Sequence, residues 1–244
     1  MWFTKLFEGM SPASFFNFSF IPKYGTYILQ GLGYTLLLAV VSVLMAVIPA
    51  LCLAIMRLSK NKLVKGISGA YIAVFRSTPL LVQLSIIYFG LFGAIQLPRI
   101  YVLGFIDISR FIPGVVALAL NSSAYVAEIF RAGILAVDIG QTEAARSLGL
   151  SQWQNMKLVV LPQAIKNVLP ALANEIVTMV KESSICMTLG MAELMFCSKT
   201  VASSTYITLA PYVLAAFLYF IINYPASKAI EAVERRMRRG DKQN

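Results

Sequence analysis

Long apolar runs separated by short polar segments dominate the pattern of this chain. A helix that crosses a bilayer needs about 20 mostly apolar residues. Five segments satisfy this requirement, at residues 27–56, 66–97, 112–132, 165–190 and 208–228. Hydrophobic residues make up 58% of the 244 and charged residues only 13%, against roughly 45–50% and about 25% in soluble domains. The pattern therefore predicts an all-α integral membrane protein with about five transmembrane helices.

Basic residues are distributed unequally between the segments that connect these spans. Fourteen of the 21 Lys and Arg residues lie in segments 57–65, 131–166 and 228–242, which share one side of the membrane, whereas five lie on the other side. Because cytoplasmic loops carry an excess of Lys and Arg, we expect the N-terminus outside and the C-terminus inside. The predicted organisation is an extracytoplasmic N-terminal segment 1–26, a membrane domain 27–228 and a basic cytoplasmic tail 229–244.

Composition excludes several kinds of chemistry. Histidine is absent, and the three cysteines form no Cys-x-x-Cys pair, so no His-dependent catalytic site or His-ligated metal site is expected. We predict neither catalytic nor metal-binding residues. The net charge of +10 does not indicate nucleic-acid binding, because the basic residues flank apolar spans instead of forming an aromatic-rich basic face.

The second span contains a point at which a continuous helix is not expected. Its segment FRSTP, residues 75–79, places Arg76 near the midplane and ends in Pro79. Proline lacks a backbone donor and disfavours helix at the preceding residue. Backbone groups freed at membrane depth need a protein partner or a water-filled cavity. The segment is interpreted either as a kink with a structurally paired arginine or as a broken helix beside a substrate path.

The polar stretch 133–166 is too long for a simple connection. Its residues 141–148 are good helix formers, and Gly149 is a suitable helix C-cap. Ser151 can cap a second helix, 152–161, which we expect Pro162 to interrupt. On the cytoplasmic side, such a pair of helices is predicted to dock a partner, the alternative being an amphipathic helix lying on lipid.

The same stretch resembles the EAA loop of ABC-importer permeases, whose pattern is E-A-A-x3-G-x9-I-x-L-P. Val159 takes the place of the isoleucine. The remaining positions match at Glu143, Ala144, Ala145, Gly149, Leu161 and Pro162.

Further runs resemble the permeases of the polar amino-acid uptake family in particular. They are FRSTPLLVQ at 75–83, AYVAEIFRAGI at 124–134, LPQA at 161–164, NE at 174–175 and VKESS at 180–184. Two positions depart from that family, with Ser77 where glycine is usual and Glu182 where aspartate is commoner.

The resemblance implies a type I ABC-importer permease with a five-helix core. It implies a multi-pass protein of a prokaryotic cytoplasmic membrane that carries a polar amino acid and pairs with a second permease subunit, either a copy or a paralogue. The implied partners are cytoplasmic ATPase subunits, which dock on the coupling loop 133–166, and an extracytoplasmic solute-binding protein. The sequence has no G-x-x-x-x-G-K-[ST] phosphate loop, so ATP and Mg²⁺ would be bound by the ATPase, with no cofactor on this chain.

Polar residues within the spans are candidates for the substrate path, because charges at membrane depth are expected to pair or to line water. They are Arg76, Asn121, Glu175, Lys181, Glu182 and Ser183. Arg76 and Glu175, at similar depth, are alternatively interpreted as a structural ion pair, and this is the interpretation we adopt. Glu128 is expected at the cytoplasmic edge, where it can pair with Arg131 three residues on.

Two other classes of protein remain as alternatives. A stand-alone channel or secondary carrier is disfavoured, because carriers commonly show paired broken segments in two halves and this chain has one break and five spans. A membrane-embedded enzyme is disfavoured by the lack of histidine, of a paired-carboxylate metal motif and of a serine nucleophile motif.

Overall fold

The structure, a computed structural model, describes residues 16–95 and 97–240 and is predominantly helical. The helices are α1 (Ile21–Leu58), α2 (Lys62–Ser77), α3 (Leu80–Ile95), α4 (Ile108–Leu135), α5 (Ile139–Ser147), α6 (Gln152–Leu189), α7 (Leu194–Thr205) and α8 (Ala210–Gly240). Before α4, the strands β1 (Tyr101–Val102) and β2 (Ile106–Asp107) pair antiparallel, with Tyr101 opposite Asp107.

The number of spans agrees with the sequence. Four helices, α1, α4, α6 and α8, are each long and apolar enough to cross a membrane. Together α2 and α3 form a fifth candidate span that bends by 105°. The expected break in the second span is confirmed, because Thr78 and Pro79 adopt extended backbone between the two helices.

Two helices extend beyond the predicted spans. Helix α1 begins at Ile21, not near residue 27, and α8 continues through the predicted tail as far as Gly240. Residues 1–15 and 241–244 lie outside the described residues, so most of the predicted N-terminal segment and the end of the tail are not tested. The tail is helical because its Glu, Ala and Arg residues are good helix formers.

The largest difference is that the second coupling-loop helix and the fourth span form one helix, α6. A π-helical turn at Met156–Val160 precedes Pro162. Backbone hydrogen bonds in such a turn span five residues instead of four, so the helix can continue past a proline that lacks the N–H of a regular α-helical bond. The Gln163 side chain donates to the carbonyl of Val159 at 3.0 Å. Contrary to the prediction, Pro162 therefore does not interrupt the helix.

The core forms where α1 lies along α4. Small residues of both helices are buried at this contact, including Ala46 and Ala124, and small side chains allow membrane helices to approach closely. Larger buried side chains, among them Tyr34, Leu118 and Met179, join α1 and α4 to α6. The helices that carry the candidate site are thus fixed to a common core.

Helix α7 is too short to span a membrane and packs against α1 and α8. Thr35 accepts a hydrogen bond from the backbone N–H of Leu194, at 3.0 Å. Gly31 of α1 faces α7 so closely that a Cβ placed on it would lie 2.7 Å from Sγ of Cys197. The contact between α1 and α7 therefore depends on a residue without a side chain.

We expect Gly31→Ala to destabilise the protein by about 1–3 kcal/mol, because the added methyl group overpacks this contact. Gly33→Ala is the matched control, since a Cβ on Gly33 meets no heavy atom within 4 Å. Thermal unfolding in detergent should show a lower midpoint for the first variant only. Equal midpoints would contradict the close packing of α1 on α7.

Candidate functional site

The coupling loop is built from two capped helices. Helix α5 ends in a Schellman motif, in which the N–H of Gly149 donates to Arg146 and the N–H of Leu150 donates to Ala145. Gly149 has φ +85°, a conformation that glycine adopts without strain, so the predicted C-cap is confirmed. Ser151 then caps α6 through a reciprocal capping box with Gln154.

The loop exposes large apolar side chains to its surroundings. Ile139, Leu148 and Trp153 are 74%, 84% and 72% exposed. Of the motif residues on α5, Glu143 and Ala144 are exposed and Ala145 is buried. We call the exposed residues Ile139, Glu143, Ala144, Leu148 and Trp153 of this loop, taken together, the coupling surface. Its apolar character, in a segment between spans, is typical of a protein interface.

Contacts beneath the coupling surface hold it to the spans. The Asn155 side chain donates to the hydroxyl of Thr142 at 3.3 Å and so joins the start of α6 to α5. Gly133, near the end of α4, faces Val168 of α6 closely enough that a side chain there would collide. Leu161 and Pro162 directly follow the π-helical turn of α6, and both are exposed.

Two side-chain amides organise the break between α2 and α3. Nε2 of Gln83 lies 2.8 Å from the Phe75 carbonyl, 3.0 Å from the Thr78 carbonyl and 2.8 Å from the Thr78 hydroxyl. Asn121 of α4 donates to Oε1 of Gln83 at 2.8 Å and reaches the Phe75 carbonyl at 3.4 Å. The carbonyls of Phe75 and Thr78 at the break are thereby satisfied, and Asn121, a candidate for the substrate path, is buried in this network.

Arg76 is exposed on the last turn of α2, next to the break. Its guanidinium lies 5.3 Å from the ring centre of Tyr125 on α4, within the range of a cation–π contact. It lines a cleft of about 450 Å³ together with Glu128 and Arg57. Glu128 accepts hydrogen bonds from Nε and Nη2 of Arg131, at 2.9 and 2.7 Å, which confirms the predicted pair.

The predicted ion pair between Arg76 and Glu175 is wrong. Oε1 of Glu175 accepts a hydrogen bond from the hydroxyl of Ser122 at 2.8 Å, and within the described residues no ion pair joins Glu175 to Arg76. Similar depth along two helices does not bring side chains together when the helices present different faces.

The remaining substrate-path candidates lie at the far end of α6. Lys181 and Glu182 are exposed, whereas Ser183 is buried and donates to the Val180 carbonyl of its own helix at 2.9 Å. Glu182 lines a cleft with Leu80, the first residue of α3. The structure therefore brings Glu182, but not Ser183, to the open space beside the break.

Sequence reasoning missed two polar residues with structural roles. Gln83 is the last residue of the FRSTPLLVQ run and had no predicted role, although a polar residue four positions after Pro79 could have indicated a partner for the break.

Glu193 is fully buried and caps α7, accepting hydrogen bonds from the N–H groups of Met195 and Phe196 at 2.8 and 2.7 Å. Its burial raises the pKa of the carboxyl to about 7, against the opposing effect of these donors. An acidic residue before an apolar run is a recognisable N-cap signal.

Fold and site together define a multi-pass helical membrane protein with a broken span and an exposed helical loop between spans. A family model described as "Binding-protein-dependent transport system inner membrane component" matches residues 42–239. The chain belongs to this family of transport subunits.

Individual relatives agree with this assignment. The arginine transport system permease protein ArtQ of Bacillus subtilis is 41% identical over 215 residues, covering 88% of this chain and 94% of ArtQ. The putative glutamine transport system permease protein GlnP of Rickettsia conorii is 39% identical over 218 residues, covering 89% and 95%. A crystal structure of an amino acid ABC transporter with histidines superposes with a TM-score of 0.81 at 44% identity, covering 90% of this chain and 98% of that chain.

We expect Gln83→Leu to destabilise the protein by about 1–3 kcal/mol for each buried polar group left without a partner. Gln30→Leu, at an exposed position of α1, is the control for the general effect of replacing Gln by Leu. The yield of folded protein and the midpoint of thermal unfolding should fall only for Gln83→Leu. An unchanged midpoint would show that the break does not need the amide.

Proposed function

We propose that this chain is the permease subunit of an ABC importer for a polar amino acid, and that a separate ATPase subunit drives it through the coupling surface. The coupling surface is the observation that carries the proposal. Glu143 and Leu148 are exposed on it, while close packing at Gly133 joins α4 to α6 and Asn155 joins the start of α6 to α5. A force applied to such a loop is transmitted to helices that line the break.

The proposed substrate class draws on the relatives and on the charges beside the break. ArtQ and GlnP are named for the transport of arginine and glutamine. A zwitterionic substrate needs a cation for its carboxylate and an acceptor for its ammonium group. Arg76 precedes the break and Glu182 lies across a cleft from Leu80, so we assign them these two roles. Glu175, half-buried beside Ser122, is a second acceptor near α4.

The proposed assembly follows the division of labour in the family. ATP and Mg²⁺ bind to the partner ATPase, because this sequence has no phosphate loop. A solute-binding protein delivers the substrate at the opposite face, and a second permease subunit completes the path. The basic residues near 57–65, 131–166 and 228–242 support placing the coupling loop and the C-terminus in the cytoplasm of a prokaryotic cell.

Leu148→Asp should abolish ATPase binding, because it places a charge at an exposed apolar position of the coupling surface. We expect the variant to be inserted normally but not to retain a co-expressed ATPase in affinity purification, and uptake should fall at least about tenfold, a loss of about 1.4 kcal/mol or more. Leu63→Asp, at an exposed leucine in the first turn of α2, is the control. ATP-independent uptake by wild-type protein would favour the stand-alone carrier instead.

The proposed orientation can be tested by cysteine labelling in sealed cells. A Cys52→Ser background is suitable, because Cys186 and Cys197 are buried. Ser151→Cys should react with a membrane-impermeant maleimide only after permeabilisation, whereas Leu103→Cys, in the exposed turn between β1 and β2, should react in intact cells. The reverse result would invert the orientation.

A further inference from the structure

A second cleft lies where three helix ends meet, at the end of α1, the start of α2 and the end of α4. It has a volume of about 310 Å³. Three of its lining residues are basic and two are leucines, and they are Arg57, Leu58, Lys65, Arg131 and Leu135. Arg57 also borders the cleft that contains Arg76, but the Arg76 side chain does not line this one. The substrate-binding role proposed for Arg76 therefore does not account for this second cleft.

The positive charge of this cleft is only partly neutralised. Glu128 binds Arg131 through Oε2, and its Oε1 lies 3.7 Å from Nε of Arg57. One carboxylate thus faces two guanidinium groups, and Lys65 adds a third cation to the lining. Nε of Arg57 is buried and has no hydrogen-bond partner among the described residues. Oε1 of Glu128, which faces this Nε, is likewise buried without a hydrogen-bond partner. With one carboxylate against three cations, the cluster retains an excess of positive charge.

The Arg57 side chain is held in place before any ligand binds. A Cβ placed on Gly69 of α2 would lie 3.2 Å from Nη1 of Arg57, so the missing side chain at Gly69 leaves room for the guanidinium against α2. Glu128 of α4 restrains it from the other side. A guanidinium fixed in this way presents its remaining N–H donors in the planar geometry that suits phosphate oxygens.

The cleft lies at the level of lipid headgroups. Leu58 and Leu135 are the last residues of α1 and α4, and Lys65 lies in the first turn of α2, which begins at Lys62. Basic pockets between membrane helices at this level are suited to anionic headgroups. The two leucines add apolar surface that a free anion would leave uncovered but that an acyl chain can cover.

We propose that this cleft binds the phosphate group of an anionic membrane lipid. Arg57 and Lys65 contact the phosphate, Arg131 contributes its charge, and the acyl chain lies along Leu58 and Leu135. Inorganic phosphate shares the headgroup chemistry but not the acyl chain. The inference rests on the membrane location of the chain and is independent of the substrate and of the ATPase.

Native mass spectrometry of the full-length chain, delipidated in mild detergent, tests the proposal. The probes are phosphatidylglycerol and phosphatidylcholine at equal concentration. We expect one phosphatidylglycerol to be retained in preference to phosphatidylcholine. Lys65→Gln and Arg57→Gln should each weaken this binding about fivefold, from the contribution of one basic residue near an anionic surface.

Lys62→Gln is the matched control, because Lys62 is an exposed lysine of the same helix turn that does not line the cleft. It should leave lipid binding unchanged. Equal losses in Lys62→Gln and Lys65→Gln would overturn the proposal in favour of general surface charge. Displacement of the lipid by millimolar inorganic phosphate would overturn the assignment to a lipid. Lys65 is exposed, so its replacement remains informative even if Arg57→Gln fails to fold.

Discussion

The hydrogen bonds from Gln83 and Asn121 to the break in the second span are the constraint on which the rest of the site depends. A carbonyl without a partner in the hydrocarbon region costs several kcal/mol. Pro79 makes such carbonyls unavoidable, and a single amide group of Gln83 satisfies those of Phe75 and Thr78. Because Asn121 belongs to α4, the 105° bend between α2 and α3 is anchored to the most buried of the four long candidate spans in the described residues.

Through this anchor, helix α4 connects the break in the second span to the coupling loop. Asn121 holds the break, Glu128 holds the basic clusters beside α1 and α2, and Gly133 allows close packing on α6 just before the coupling loop. These contacts lie along one buried helix of 28 residues. Movement of the coupling loop relative to α4 would therefore act on the same helix that anchors the break and carries Tyr125, the ring against which Arg76 lies.

Much of the fold could be predicted because it depends on local patterns. Apolar runs of sufficient length indicate spans, Pro79 indicates a break, and Gly149 and Ser151 indicate helix caps. The pair of Glu128 and Arg131 could be predicted as well, since residues three apart on a helix are neighbours whatever surrounds them. Each of these inferences needs only the covalent sequence and the geometry of a single helix.

The tertiary structure decided those side-chain contacts that depend on how the helices are rotated relative to one another. Depth along a span placed Arg76 and Glu175 at one level, but the rotation of α6 directs Glu175 to Ser122 and the packing of α2 directs Arg76 to Tyr125. The continuity of α6 through Pro162 depends on a π-helical turn. The sequence by itself thus determined the approximate positions of the five spans, where one of them breaks and where the helices of the coupling loop are capped. Which polar groups meet was decided by packing, because a contact between helices depends on the faces they share.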